Sequence, residues 1–137
     1  MKKVFFALCI APLFVACAPN NPLSSYSLEF APASLIGAQI TGSGKLVVSS
    51  NGSSRVKLEL RGLPASSKLG AALLAGSCTN QGHIVLNLPD LSSDANGNGT
   101  LETNFKNSVM PTPAYVNVYQ KAAADGYGAA LACANLQ

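Results

Sequence analysis

The chain has 137 residues, of which 11% are charged, compared with about 25% in an average soluble domain. Nine lysines and arginines and six acidic residues give a net charge of +3, which is too small to supply the basic patch that binds nucleic acid. Composition and charge therefore exclude a nucleic-acid-binding protein, and the length fits one domain with one core.

The first residues have the layout of a secretory signal. Lys2 and Lys3 precede a mostly apolar run, Val4 to Val15, which is shorter than the roughly 20 residues that span a bilayer. The stretch LFVAC that follows resembles a bacterial lipobox, the motif whose cysteine becomes the lipidated first residue, and that cysteine is Cys17. Ordinary secretion, with cleavage after the ACA that ends at Ala18, and an uncleaved anchor are the alternatives.

We therefore predict three segments and a location in the bacterial cell envelope. Residues 1–16 form a lipoprotein signal peptide, 17–23 form a lipidated N-terminus and a short tether, and 24–137 form one β domain. Lipid on Cys17 anchors the protein in a membrane, facing the periplasm or the exterior. Removal of the signal takes two lysines with it, so seven basic and six acidic residues remain and the net charge falls from +3 to +1.

The same signal accounts for two of the four cysteines. Cys9 leaves with the signal and Cys17 carries lipid, so Cys78 and Cys133 remain. An even pair of cysteines in an oxidising compartment forms a disulfide by default. The sequence therefore predicts a bond between Cys78 and Cys133.

Beyond the tether, short alternating runs are separated by Gly, Pro, Asn and Ser. The clearest is RVKLELRG, in which Val56, Leu58 and Leu60 alternate with charged residues, as in a strand with one buried face. GKLVVSS precedes it across NGSS, and the Asn-Gly pair of that linker favours a tight hairpin turn. We therefore predict two strands joined as a hairpin.

Four more strands are predicted downstream, at HIVLNL, GTLETNF, AYVNVYQ and AALACANL, although the alanines of the last run alone would also allow a helix. The first is expected to bury Ile84 together with the leucines that follow. In AYVNVYQ the valines alternate with Tyr115, Asn117 and Tyr119. The two tyrosines are expected on the barrel surface, and a ligand-contacting stripe on this strand face is the alternative. Short strands at regular spacing predict an all-β fold, a Greek-key β-barrel or sandwich of about eight short antiparallel strands with one disulfide.

Three stretches, read together, carry a family resemblance: RGLPASSKLGAALLAGSC, NLPDLSSDANGNGT and VYQKAAADGYGAALACANL. They resemble the copper-zinc superoxide dismutase superfamily and its relatives, the CHRD-type domains of many bacterial envelope proteins. The similarity covers most of the chain from Leu60 to Leu136. It implies that the family's disulfide, between the loop after the His-x-His strand and the last strand, joins Cys78 to Cys133.

The resemblance also indicates where the family's metal ligands would lie. The His-x-His positions correspond to Ala72 and Leu74, and the copper histidine near the C-terminal loop corresponds to Tyr119. The zinc histidine and aspartate correspond approximately to Ile84 and Asn87. Because none of these side chains is a histidine or an acid, the resemblance implies a catalytically silent domain that holds no cofactor.

His83 is the only histidine of the chain, and it lies near the position of the family's bridging histidine, one residue short in its spacing from Cys78. A lone imidazole cannot make a tight transition-metal site, so an exposed or hydrogen-bonded residue at a strand start is expected. A copper protein or dismutase that combines it with Asp90, Asp94 or Tyr119 is the alternative.

A second metal motif is incomplete. DANGNG, Asp94 to Gly99, matches the first half of a calcium loop, but Phe105 stands where the twelfth-position glutamate is needed. A Gly/Asn-rich turn between strands is therefore expected.

These observations predict a cell-envelope lipoprotein whose silent domain acts as a binding or structural module. The vacated metal site is expected to be collapsed and apolar, or a shallow dry groove beside Tyr119. The expected partners are the membrane, through the lipid anchor, and an unidentified protein or small molecule. A small-ligand carrier that uses the vacated pocket is a further alternative.

Overall fold

The computed structural model describes residues 22–34, 39–49, 51–106, 111–122 and 126–137. The predicted signal peptide and Cys17 lie outside these residues. The described part of the chain contains no helix long and apolar enough to cross a bilayer. Its eight strands are β1 (Pro22–Pro32), β2 (Thr41–Ser49), β3 (Ser53–Arg61), β4 (Lys68–Gly76), β5 (Gln81–Ser93), β6 (Gly99–Lys106), β7 (Ala114–Lys121) and β8 (Tyr127–Asn135).

The strands are antiparallel and close into a barrel in the order β1-β2-β3-β6-β5-β4-β7-β8. Because β3 neighbours β6 and β4 neighbours β7, the chain crosses over twice, as in a Greek-key barrel. The predicted fold class is confirmed. β1 begins at Pro22, two residues before the predicted start of the domain at residue 24.

Two of the strand pairs that close the barrel, β5–β6 and β1–β8, are short, and we call them its seams. They divide the barrel into two four-stranded sheets. The first sheet is β1-β2-β3-β6, and the second is β5-β4-β7-β8. Within each sheet, neighbouring strands pair along most of their length. Among the described residues, β5 pairs with β6 only at Ser92 opposite Thr100 and Ser93 opposite Gly99. β1 pairs with β8 at Ala31 opposite Cys133 and Pro32 opposite Ala132, and an isolated bridge joins Leu28 to Leu136.

The hairpin between β2 and β3 follows the sequence prediction. Gly52 has a φ of 75°, and the Asn51 side chain accepts a hydrogen bond from the Ser53 amide at 3.0 Å. The charged residues of β3 are exposed while the residues between them are buried. Local turn chemistry and a period of two residues therefore set the register of this hairpin.

The main core fills the space between the two sheets, and it is almost entirely aliphatic. Full burial of each large aliphatic side chain stabilises the fold by about 1.5–3 kcal/mol, so this core is the main source of stability. Its largest fully buried members are Leu28, Ile40, Leu46, Val56, Leu58, Leu60, Leu73, Leu91, Val116, Val118 and Leu131.

One burial prediction was wrong. Ile84 is 42% exposed and its neighbour Val85 is 41% exposed. β5 bulges against β4 on both sides of Ile84, and this residue pairs with Leu74, whose side chain belongs to the outer face of the second sheet. The bulges break the simple alternation from which burial had been inferred.

Candidate functional site

A second, smaller core lies on the outer face of the second sheet. Inside β7 the valines face the main core, so Tyr115 and Asn117 point to the opposite face, where both are nevertheless buried. Ala72 pairs with Asn117, which in turn pairs with Cys133, so these residues form one row across β4, β7 and β8. We call this set the outer cluster: Ala72, Leu74, Cys78, Tyr115, Asn117, Tyr119, Tyr127 and Cys133.

The disulfide holds the loop after β4 over this cluster. Cys78 is bonded to Cys133, with the two Cα atoms 5.9 Å apart and a sequence separation of 55. The amide of Cys78 also donates a hydrogen bond of 2.8 Å to the side-chain oxygen of Asn135. A covalent bond and a hydrogen bond therefore fasten the loop to β8, which confirms the predicted pair of cysteines.

The residues that the family resemblance assigned to metal-ligand positions lie in or beside this cluster. Ala72 is fully buried and Leu74 is 4% exposed, and both pack in the outer cluster with Tyr119. Asn87 joins the same region through the hydroxyl of Tyr127, which lies 2.9 Å from the Asn87 side-chain oxygen. Ile84 pairs with Leu74 on the rim.

Aromatic rings and amides occupy the open side of the cluster. The rings of Tyr119 and Tyr127 stack with centroids 4.7 Å apart. The Asn117 side-chain amide donates to the Tyr119 hydroxyl at 3.1 Å. The Tyr127 hydroxyl lies 3.0 Å from the carbonyl oxygen of Ala71, in addition to its contact with Asn87, so one phenolic proton is offered to two acceptors.

Two polar atoms inside the cluster lack a hydrogen-bond partner in the described part of the chain, namely the Tyr115 hydroxyl and the Asn117 side-chain oxygen. Tyr115 is fully buried and Asn117 is 1% exposed. Leaving a buried polar group unpaired costs about 1–3 kcal/mol. The outer cluster is closely packed but not purely apolar, because Asn117 and the hydroxyl of Tyr115 are buried among its side chains.

Burial also governs the protonation of the tyrosines. It raises the pKa of the Tyr115 hydroxyl, and nearby Tyr119 raises this pKa further, while the Gly82 backbone, which lies close without forming a hydrogen bond of good geometry, opposes the rise. Burial likewise raises the pKa of Tyr127, although the charge of Lys121 opposes it. Both phenols are therefore neutral well above physiological pH, and a neutral phenol is a poor ligand for a metal cation.

The donor set does not fit the family's copper and zinc. Ala72, Leu74 and Ile84 carry no donor atom, and both sulfurs of the cluster are consumed by the disulfide. His83 is exposed on β5. Among the residues that the structure describes, no group of three or more His, Cys, Asp or Glu side chains could hold a metal ion. Copper and zinc need imidazole, thiolate or carboxylate ligands, so no catalytic step can be derived through these metals here.

The half calcium motif is a turn. The Asp94 side chain accepts hydrogen bonds from the amides of Asn96 and Asn98, at 2.8 and 2.9 Å. Gly97 has a φ of 77°, and a Cβ added there would meet the carbonyl oxygen of Leu63 at 2.5 Å. The carboxylate therefore organises its own backbone, as expected for an Asx turn.

The sequence analysis did not foresee the burial of Tyr115, which had been expected on the surface. Asn117 was predicted on the same strand face as Tyr115 and Tyr119, but Tyr127 was not predicted to join them. Alternation in AYVNVYQ correctly separates the two faces of β7, but it cannot reveal that the second face is covered. The available signal was the disulfide itself, because a loop fastened across β8 must lie over the outer face of its sheet.

We expect Tyr115→Phe to raise the free energy of unfolding by about 1 kcal/mol, because it removes a buried hydroxyl that has no partner. Urea denaturation followed by circular dichroism measures this change. Tyr127→Phe is the matched control. It should lower the free energy of unfolding by about 1 kcal/mol, because the hydroxyl that it removes is hydrogen-bonded. A destabilised Tyr115→Phe protein would mean that the hydroxyl is satisfied by the Gly82 backbone, a bound water or a ligand.

Comparisons with known proteins agree with this architecture. No protein-family model matches the chain, and no curated protein matches it. Among solved structures it is similar to a SOD-like protein from Bacillus subtilis, with a TM-score of 0.61 and 14% sequence identity, over 82% of this chain and 99% of that one. At this identity the likeness establishes the fold alone. The chain therefore has a superoxide dismutase-like β-barrel fold.

Proposed function

We propose that the protein is a bacterial cell-envelope lipoprotein whose superoxide dismutase-like barrel has no metal catalysis and serves as a binding or structural module. The observation that carries the proposal is the packing of Ala72 and Leu74. These residues correspond to the His-x-His pair, and they form a buried core with Tyr115 under the disulfide. A copper site would need this core to be opened and rebuilt.

The proposed location rests on two features of the sequence and one of the structure. The lipobox-like LFVAC places a cysteine at residue 17 after a short apolar run. The disulfide between Cys78 and Cys133 suits a compartment outside the cytoplasm. Anchoring would require two or more acyl chains on Cys17, because one chain alone binds a membrane only marginally.

The alternative with metal chemistry has less support. It depends on His83, which is exposed on β5 and has no thiolate or second imidazole beside it in the described part of the chain. A small-ligand carrier has one observation in its favour, the two unpaired polar atoms of Tyr115 and Asn117. These atoms would suit one small polar molecule, such as a water, rather than a larger ligand.

Metal content tests the proposal directly. The mature chain, residues 17–137 with Cys17→Ser, would be produced in an oxidising compartment, dialysed against copper and zinc, and analysed by mass spectrometry. We expect far less than one ion per chain and no superoxide removal above that of free buffer. His83→Ala should behave identically. One copper per chain that is lost in His83→Ala would restore the metal-dependent alternative.

Membrane fractionation tests the anchor. We expect the wild-type protein to stay with the membrane during a wash at about 1 M salt, which screens charge attraction to a range of about 3 Å. Cys17→Ser should release the protein into the soluble fraction in the same wash. Cys9→Ser is the control and should remain bound. Retention of Cys17→Ser after the wash would contradict lipid anchoring at this cysteine.

A further inference from the structure

The outer face of the first sheet concentrates basic residues. Removal of the predicted signal leaves seven lysines and arginines in the chain, and five of them point outward from this sheet, together with three glutamates. The strand registers place these side chains on one face, because each residue lies opposite another exposed residue or two positions from one along its strand. They are Lys45, Arg55, Lys57, Arg61 and Lys106, with Glu29, Glu59 and Glu102.

These charges are not evenly distributed along the strands. The half of the face near the start of β1 carries four basic side chains and only Glu102 as an acid, a net charge of +3. The opposite half carries Glu29, Glu59 and Arg61, a net charge of −1. We call the first half the basic end; its four cations are Lys45, Arg55, Lys57 and Lys106.

The cations of the basic end are only partly neutralised. Arg55 forms an ion pair with Glu102, and Lys57 lies 2.9 Å from a carboxylate oxygen of Glu59. Lys45 and Lys106 have no ion pair among the described residues, and both are exposed. Exposed pairs of this kind neutralise charge without removing the side chains from solvent.

Lys45 stands directly opposite Lys57 in the β2–β3 ladder. Like charges opposite each other destabilise a sheet. Lys57 is offset by Glu102, which stands opposite it in the β3–β6 ladder, and by its ion pair with Glu59, whereas Lys45 has no ion pair among the described residues. The two lysines line a shallow groove of about 380 Å³ together with Val47, Arg55 and Glu102. A groove lined by three cations and one acid is suited to an anionic group.

The position of the basic end relative to the start of the chain indicates which kind of anionic group it would meet. Pro22 pairs with Ser49 at the end of β2, beside the hairpin that leads into β3, so β1 begins at the same end of the sheet as Lys106 and Arg55. From Cys17 to Pro22 there are five peptide units, which reach at most about 18 Å. A lipid on Cys17 would therefore hold this end of the barrel close to the membrane surface.

We propose that the basic end docks on the anionic phospholipid headgroups of the membrane that holds the anchor. This inference rests on the proposed lipoprotein function for the tether, while the docking surface is a property of the folded barrel. The surface would fix the barrel with the basic end toward the lipid, so that the opposite half of the first sheet and the outer cluster of the second sheet lie farther from the membrane. Charge attraction of this kind acts within the screening length of about 8–10 Å at physiological salt.

Vesicle binding by the mature chain without lipid, residues 17–137 with Cys17→Ser, tests the docking surface separately from the anchor. The probes are sedimentable vesicles of phosphatidylglycerol and phosphatidylcholine in equal parts, and vesicles of phosphatidylcholine alone. We expect binding to the anionic vesicles only, and release at about 0.5 M salt. Lys45→Gln with Lys106→Gln should lower the partition coefficient about 25-fold, since each basic residue near the surface contributes about fivefold.

The matched control is Arg61→Gln with Lys68→Gln, which removes the same net charge away from the basic end and should change binding less than about twofold. Neither control residue has an ion pair among the described residues. An equal loss in both double variants, or equal binding to the two vesicle types, would overturn the proposal. Retention of Cys17→Ser on the membrane during the high-salt wash would contradict the anchor and leave the docking result unaffected, so the two proposals fail separately.

Discussion

Replacing both cysteines of the disulfide, in Cys78→Ala with Cys133→Ala, is expected to lower the free energy of unfolding by about 4 kcal/mol. The bond closes a loop with a sequence separation of 55, and loop closure of this size restricts the unfolded chain by about that amount. Because small domains are stable by only about 5–15 kcal/mol, the variant should be close to unfolding at 37 °C. Urea denaturation of the mature chain without lipid measures the change.

Reduction provides the control for this prediction. Wild-type protein with the disulfide reduced should lose the same stability, while the double alanine variant should be insensitive to reductant. Equal stability of the oxidised protein and the double variant, within about 1 kcal/mol, would show that Asn135 and packing hold the loop without the bond.

The second large effect is expected when histidines are restored at the vacated positions. Ala72→His with Leu74→His should lower the free energy of unfolding by about 4 kcal/mol or more. The first substitution overfills a fully buried site, and the second replaces a buried aliphatic side chain with an imidazole that lacks a partner. Denaturation in urea, with and without added copper, measures the cost.

Val85→His is the matched control, because it places the same side chain on an exposed position of β5. It should change stability by no more than about 0.5 kcal/mol. If the double variant instead folds as well as wild type and gains stability with copper, the outer cluster is a metal site that lacks only its ligands. That result would contradict the view that this region is now a core.

The elements that sequence analysis predicted best are those in which local chemistry decides the structure. The β2–β3 hairpin follows from the Asn-Gly turn and from strict alternation in β3, and the cysteine pair follows from counting. The positions of the vacated ligands followed from a resemblance, and the structure brings Ala72, Leu74 and Tyr119 together. These features can be predicted from short-range sequence patterns or from the order of motifs along the chain.

The features that could not be predicted depend on tertiary contacts. Tyr115 is buried because a loop that is distant in sequence covers the outer face of β7, and alternation gives no information about such a cover. Ile84 is exposed because bulges shift β5 against β4. The basic end arises from the pairing of β2, β3 and β6, and a net charge near zero conceals it.

The division of the barrel into two sheets has a consequence for how the protein can change over evolution. The outer faces of the sheets share no residue, and the aliphatic core separates them. Substitutions on distant surfaces without common partners add in free energy to within about 0.5 kcal/mol. A mutation in the aromatic and disulfide region would therefore leave the basic end intact, and the reverse also holds. Selection can act on either surface alone, so this fold can discard one role while it retains or acquires another.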